Sequence, residues 1–331
     1  MSGEVVAAAE LSRLAAVARR FYLDDRSKVE IAQEFGYSRF KVARMLEQAR
    51  ALNIVTITLN DRVMVDPGLS ERLARHLGLR EAVVVEASGS EESIRKLVGE
   101  AAAGLLSESL RAGEVLGLAW GRTLTAMTVS MPSLPEVSVV QLTGTVGSDL
   151  AESPVEIVRR VALNSGGTAR AIFAPLFVED AGTAAALRRQ PDVARALQMF
   201  DTVTTAVVSV GSWDPPASQL RATMPPADRD ELLARGVRAE VAAILIGRDG
   251  ELLGQDFAER CVSITAAQLA RIPRVIGVAG GAVKAEAVLA VARAGLFTGL
   301  VTDRGLAEIV LAHDPVAGPA AVAAGRRASR P

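Results

Sequence analysis

From Leu69 onward, apolar runs of strand length recur along this chain, and helical stretches separate several of them. The runs are Ala82–Val85, Val115–Ala119, Val137–Leu142, Ala206–Val210, Val241–Ile246, Val275–Ala279 and Leu300–Thr302. Between them, helical stretches occupy Glu91–Leu110, Ser153–Asn164, Pro191–Phe200, Ala266–Ile272 and Ala282–Ala294. A run that is apolar throughout has to be covered on both faces. Short buried strands alternating with helices therefore predict an α/β fold with a doubly wound parallel sheet. Ligands of such sheets bind at the carboxyl ends of the strands. The 331 residues, 50% hydrophobic and 23% charged, are enough for two globular domains and a substantial core.

The N-terminal sixty residues follow a different pattern. Leu11 to Leu23 predicts an amphipathic helix, with Leu11, Leu14, Ala15, Ala18, Phe21 and Tyr22 available for packing. Ile31, Ala32 and Phe35 share the inner face of a short second helix, and Gly36 follows where a left-handed residue must end it. Ser38 supplies an N-cap for a third helix running to about Leu52. Val42, Met45, Leu46 and Ala49 point inward from it, while Arg39, Lys41, Arg44 and Arg50 point outward. Glu47 is the only acid between Gly36 and Asn53. An αα-hairpin with a solvated charged face would share this periodicity. The small Ala32 before the turn and the apolar Val42 and Met45 after it favour a helix-turn-helix, whose second helix enters the major groove. The candidate DNA contacts are Lys28, Ser38, Arg39, Lys41 and Arg44. The alternation over Asn53–Leu59 predicts a short wing strand, and Asn60–Gly68 reads as a linker. The expected domains are residues 1–60 for DNA binding, 61–316 for effector binding and oligomerisation, and 317–331 as a disordered tail.

Charge and composition narrow the function classes. With a net charge of −1, DNA affinity has to come from a local patch and from more than one copy per assembly. A single cysteine, Cys261, builds neither an intrachain disulfide nor a zinc cluster. No basic-then-apolar leader and no apolar run of membrane-spanning length occurs, so the expected location is the cytoplasm, without membrane contact. His76 and His313 are the only histidines, and Asp228, Glu240, Asp249, Asp256 and Asp303 form no pair with diagnostic spacing. No catalytic residue, metal site or cofactor is expected. Trp120 and Trp213 are either core residues or platforms for a sugar ring.

Three strand ends carry loop chemistry. Trp120-Gly121-Arg122-Thr123 offers backbone N–H groups, a hydroxyl and a guanidinium to an anion, or is a plain strand-to-helix turn capped by Thr123. Gln141-Leu142-Thr143-Gly144 is again polar and glycine-bearing. Gly280-Gly281-Ala282-Val283-Lys284 places a lysine on the first turn of a helix, where the dipole disfavours it unless it meets an anion such as a phosphate. A solvated surface lysine is the alternative. None of these loops matches a Walker A or dinucleotide fingerprint.

Taken together, these segments resemble the SorC family of bacterial sugar-responsive transcriptional regulators, related to the DeoR group. The resemblance runs through Ala18–Tyr22, Ile31-Ala32, Ser38-Arg39, Val42–Leu46, Ile54-Val55, Trp120–Leu124, Gln141–Gly144, Ala174–Leu176, Val278–Gly281 with Lys284, and Leu300–Asp303. It implies a helix-turn-helix joined to an effector domain of the sugar-phosphate isomerase-like type, a phosphorylated sugar or polyol as effector, operator DNA as partner, and a homodimer or homotetramer. It also implies that Gly121, Arg122, Thr123, Gly281 and Lys284 contact the phosphate, with Gln141, Gly144, Glu240 and Gly280 as further candidate effector residues. Ala239-Glu240 stands where relatives often carry Gly-Asp, and Ala43 where a serine is common. Two other functions remain open at this point: a sugar-phosphate isomerase or deaminase with an accessory helix-turn-helix, and a constitutive DNA-binding protein whose larger domain only assembles subunits.

Overall fold

The computed structural model describes residues 8–52, 54–55, 63–147, 150 and 152–316. It divides the chain into two compact units, Met1–Arg62 and Val63–Pro331.

Local capping sets the smaller unit, whose helices span Ala8–Tyr22, Lys28–Phe35 and Arg39–Ala51. Ser27 and Glu30 form a reciprocal capping box at the start of the second helix, a device the sequence reading had not singled out. Gly36 closes that helix at φ +66°, the left-handed conformation that costs an L side chain energy. The Ser38 hydroxyl then accepts from the Lys41 N–H at 3.1 Å and starts the third helix. Leu14, Val17, Ala18, Ile31, Ala32, Val42, Met45, Leu46 and Ala49 make one buried cluster, so the inward face expected for the third helix is the observed one. Phe35 is only half-buried and stacks on Tyr37, with ring centroids 6.1 Å apart. The expected wing falls largely, and the expected tail wholly, outside the described residues.

In the larger unit the described residues contain eleven strands. They are β1 (Glu81–Val85), β2 (Val115–Leu118), β3 (Ser138–Gln141), β4 (Ala169–Arg170), β5 (Thr205–Ser209), β6 (Gly211–Ser212), β7 (Val237–Val241), β8 (Ile244–Gly247), β9 (Leu252–Leu253), β10 (Arg274–Ala279) and β11 (Gly299–Asp303). Seven form a sheet in the order β1-β11-β10-β5-β2-β3-β4, and every pairing in it is parallel. This is the α/β architecture expected from the apolar runs. The interior strands are buried along most of their length, as in Ala206, Val207 and Val208 of β5 and Val275, Ile276 and Val278 of β10.

One expected strand is corrected. Val241–Ile246 is the tip of an antiparallel hairpin, in which β7 ends at Val241 and β8 starts at Ile244. Ala242 and Ala243 between them hold φ of 49° and 67°. Both central residues of a type I′ hairpin turn need positive φ, a job normally done by Asn or Gly. Two buried alanines leave no turn signal in the sequence, so the run reads as continuous. The hairpin belongs to a second, four-stranded sheet ordered β6-β7-β8-β9.

Connectivity positions the site. From β2 the chain moves to its neighbour β3, whereas from β5 it leaves through the small sheet and returns on the other side at β10. The crevice between β2 and β5 is therefore a topological switch point, where open α/β sheets bind ligands.

Gly36→Ala should destabilise the smaller unit by about 1–2 kcal/mol, the cost of a left-handed L residue, although open space surrounds the position. Denaturant unfolding followed by far-UV circular dichroism would measure it, and an unchanged midpoint would argue against the left-handed cap.

Candidate functional site

At that switch point lies a cleft of about 200 Å³. Trp120–Thr123 line it from the end of β2, Ser209–Gly211 from the end of β5 and Gly280–Lys284 from the end of β10. Its size falls below the roughly 300–1,000 Å³ usual for drug-sized ligands, which suits a small, polar molecule.

Gly121 sits at φ +143° and starts the helix Arg122–Val129 with no side-chain cap. A Cβ at Gly121 would run into the Ser209 hydroxyl, which itself donates to the Trp120 carbonyl. Thr123 is buried in the first turn and is not the cap, while Arg122 is exposed. The Gly281 N–H donates to Asp303 Oδ2 at 2.6 Å, so it is already engaged by the protein. The other oxygen of Asp303 accepts from the Leu306 N–H at 3.1 Å and caps the helix Arg304–Leu311.

Lys284 ends a short 3-10 turn, Ala282–Lys284, and forms the N-cap of the helix Ala285–Ala294. It is half-buried, and its ammonium donates to the Val210 carbonyl at 2.8 Å. Burial lowers its pKa to about 8, and the nearby Arg122 guanidinium acts in the same direction. Glu240, on β7, is 6% exposed. Its Oε1 accepts from the Ser218 hydroxyl at 2.7 Å, and its Oε2 has no hydrogen-bond partner among the described residues. Burial raises the carboxyl above its ordinary range, opposed by Ser218, by the charge of Lys284 and by the Ala243 backbone. Arg95, 3.4 Å from Glu91, adds a further cation to the lining.

The structure thus brings together Gly121, Arg122, Thr123, Glu240, Gly280, Gly281 and Lys284. Two sequence candidates, Gln141 and Gly144, are not brought into the cleft. Gln141 is fully buried outside the cleft, where its side-chain amide donates to the Thr143 carbonyl at 2.6 Å and its Oε1 accepts from Ile172 N–H at 3.2 Å. Gly144 also lies outside the cleft. Its N–H bonds the Val262 carbonyl at 2.7 Å, and a Cβ there would press on the backbone of Ala174–Leu176. Both are engaged by the protein beyond the end of β3, Gln141 through its side-chain amide and Gly144 through its N–H and the close approach of Ala174–Leu176. Trp120 lines the cleft, whereas Trp213 is wholly buried elsewhere. Neither His76 nor His313 lines it, and no cluster with metal-binding composition occurs among the described residues.

Sequence reasoning missed Ser209, Ser218, Gln219, Glu91 and Arg95. Ser209 could have been found from the end of its apolar run. The others arrive from helices and loops whose direction only the tertiary structure supplies.

In the smaller unit, Arg39, Lys41 and Arg44 are exposed on the third helix. The Lys41 ammonium lies 4.0 Å from the Tyr37 ring centre, and the half-buried Lys28 on the second helix has its ammonium 5.6 Å from that of Phe21. Phe40, unremarked in the sequence, is 84% exposed.

Gly144→Ala is expected to cost about 1–3 kcal/mol of stability through overpacking, measured by denaturant titration. Glu240→Gln tests the buried carboxyl. A raised folded pKa gives stability that is complete below the ordinary carboxylate pKa and is lost as pH rises through the folded value. The variant lacks that loss, so its stability relative to the parent should increase from acid towards neutral pH. Parallel pH–stability profiles would refute the assignment.

Comparisons with known proteins give the family and the fold. A family model described as "Putative sugar-binding domain" matches residues 62–312. The transcriptional regulator LsrR of Enterobacter sp. (strain 638) is 28% identical over 314 residues, covering 93% of this chain and 95% of its own. The sorbitol operon regulator of Klebsiella pneumoniae is 26% identical over 309 residues, covering 89% and 96%. The crystal structure of the full-length sorbitol operon regulator SorC from Klebsiella pneumoniae matches the fold with a TM-score of 0.70, at 24% identity, over 92% of this chain and all of that one. The family match spans most of the chain, the cleft lies within it, and a helix-turn-helix precedes it: the chain belongs to the SorC family of sugar-binding transcriptional regulators.

Proposed function

We propose that this regulator controls genes of carbohydrate or polyol catabolism, and that a small phosphorylated sugar or polyol in the cleft sets its affinity for operator DNA. The observation that carries this reading is the charge lining the cleft, with Lys284, Arg122 and Arg95 contributing cations and Glu240 an acceptor oxygen, Oε2, without a partner among the described residues. The phosphate would meet Lys284, Arg122 and the N–H groups at the start of the helix Arg122–Val129, while Glu240 accepts from a hydroxyl. Residues 1–60 are the DNA-binding output, with Ser38, Arg39, Lys41 and Arg44 on the helix that meets DNA and Lys28 beside it. Residues 61–316 sense the effector and assemble a homodimer or homotetramer in the cytoplasm, so that two output units address paired half-sites. The effector acts by binding DNA-competent and DNA-incompetent arrangements with different affinity.

A buried acid with a raised pKa in a cleft also fits an isomerase or deaminase acting on sugar phosphates. Against it, the Lys284 ammonium is held by the Val210 carbonyl and not by Glu240, and the named relatives are transcriptional regulators. Incubation with a panel of sugar phosphates distinguishes the two: saturable binding without turnover supports the sensor, and turnover supports the enzyme.

Thermal-shift screening of phosphorylated sugars and polyols should find a stabilising compound, by about 2.7 kcal/mol at a hundredfold excess over Kd. Lys284→Ala should abolish the shift. The parent's affinity should fall as pH rises through about 8, where the Lys284 ammonium loses its proton, and Lys284→Arg should remove that pH limb. A ligand indifferent to both substitutions would sink the phosphate-site proposal.

A further inference from the structure

Phe40 is the most exposed large apolar side chain among the described residues, at 84%. It is the second residue of the helix Arg39–Ala51. With successive residues about 100° apart, the buried Val42, Met45, Leu46 and Ala49 define the inner face, and Phe40 lies close to diametrically opposite it. Arg44, four residues on, shares that outer face. Arg39 and Lys41, one residue to either side, flank it. Among the described residues the Phe40 ring takes no part in the buried cluster of the smaller unit, which closes on the other side of the helix.

The surroundings indicate what covers the ring. Arg39, Lys41 and Arg44 are all exposed around it, and the helix carries no acid before Glu47. Burial against an apolar protein surface would strip water from these cations without pairing them. A polyanion neutralises them. In the major groove the C5-methyl of thymine is the distinctive apolar group on a base edge, and the N-terminal residues of a recognition helix are those that reach base edges.

We propose that Phe40 is a sequence-reading residue, packing its ring against the C5-methyl of a thymine in each operator half-site, with Arg39 and Lys41 on the flanking phosphates. The proposal rests on the DNA-binding reading above and adds the base that is read. It makes Phe40 a specificity residue, whereas Arg39 and Lys41 contribute affinity shared by all sequences.

The test starts from duplexes that the intact chain selects out of a random-sequence library. Each thymine is replaced in turn by deoxyuridine, which removes only the C5-methyl, and affinity is measured for the parent, Phe40→Ala and Phe40→Leu. The parent should lose about fourfold at one thymine per half-site, the equivalent of one buried methyl group. Phe40→Ala should bind the thymine duplex more weakly and lose the thymine–uracil difference at that position alone, while Phe40→Leu keeps part of it. Unchanged helix content by circular dichroism would show that the variants fold. An equal response of parent and Phe40→Ala to every deoxyuridine would overturn the proposal, leaving the exposed ring to a protein contact. Failure to select any duplex would overturn the DNA-binding reading itself and the proposal with it.

Discussion

The Asp303 carboxylate, buried at the carboxyl end of β11, is the interaction on which the cleft depends. One oxygen holds the Gly281 N–H at 2.6 Å and the other caps the helix Arg304–Leu311. A single anion thus ties the loop after β10 to the strand beside it. That fixed loop carries the chain from Gly281 to Lys284, whose ammonium reaches across to the Val210 carbonyl beyond β5. Charge-assisted bonds of this kind are stronger than neutral ones, and their geometry is specific. The walls of the cleft are therefore set by the protein before any ligand enters.

Preorganisation leaves two groups of the cleft unsettled, Lys284 and Glu240, and both have shifted titration. Lys284 is partly desolvated beside Arg122, and Glu240 keeps one oxygen without a partner. Both conditions disfavour the charged form and both are relieved by a ligand of complementary polarity. An anion on the lysine side and a hydroxyl on the glutamate side is the combination a phosphorylated sugar or polyol carries. In the smaller unit the group that stands out is of the opposite kind, the apolar and exposed ring of Phe40.

Much of this was legible in the residues. The spacing of Val42, Met45, Leu46 and Ala49 alone turns them inward, because a helix surrounded by water must bury its apolar stripe. The glycine-bearing ends of β2 and β10 stand out in the sequence because a strand end followed by a helix start leaves free N–H groups wherever it occurs. Gln141 and Gly144 have the same local chemistry but stand outside the cleft, held by Ile172 and Pro175, some thirty residues away in sequence. The hairpin at Ala242-Ala243 was hidden because tertiary packing holds two alanines in a conformation their own propensities disfavour.

What the sequence determined by itself was the kind of structure at each end: a capped basic helix pair, and a parallel sheet made from strands too apolar to face water. These follow from short-range periodicity, capping and the hydrophobic effect, which need no partner distant in the chain. Only the tertiary structure decided which strand ends meet, that Glu240 and Ser218 join Lys284 in one cleft while Gln141 stays outside it, and that Phe40 stands outside the buried cluster of the smaller unit. Those outcomes depend on strand order and on the path between β5 and β10, and nothing in a local stretch of residues encodes either.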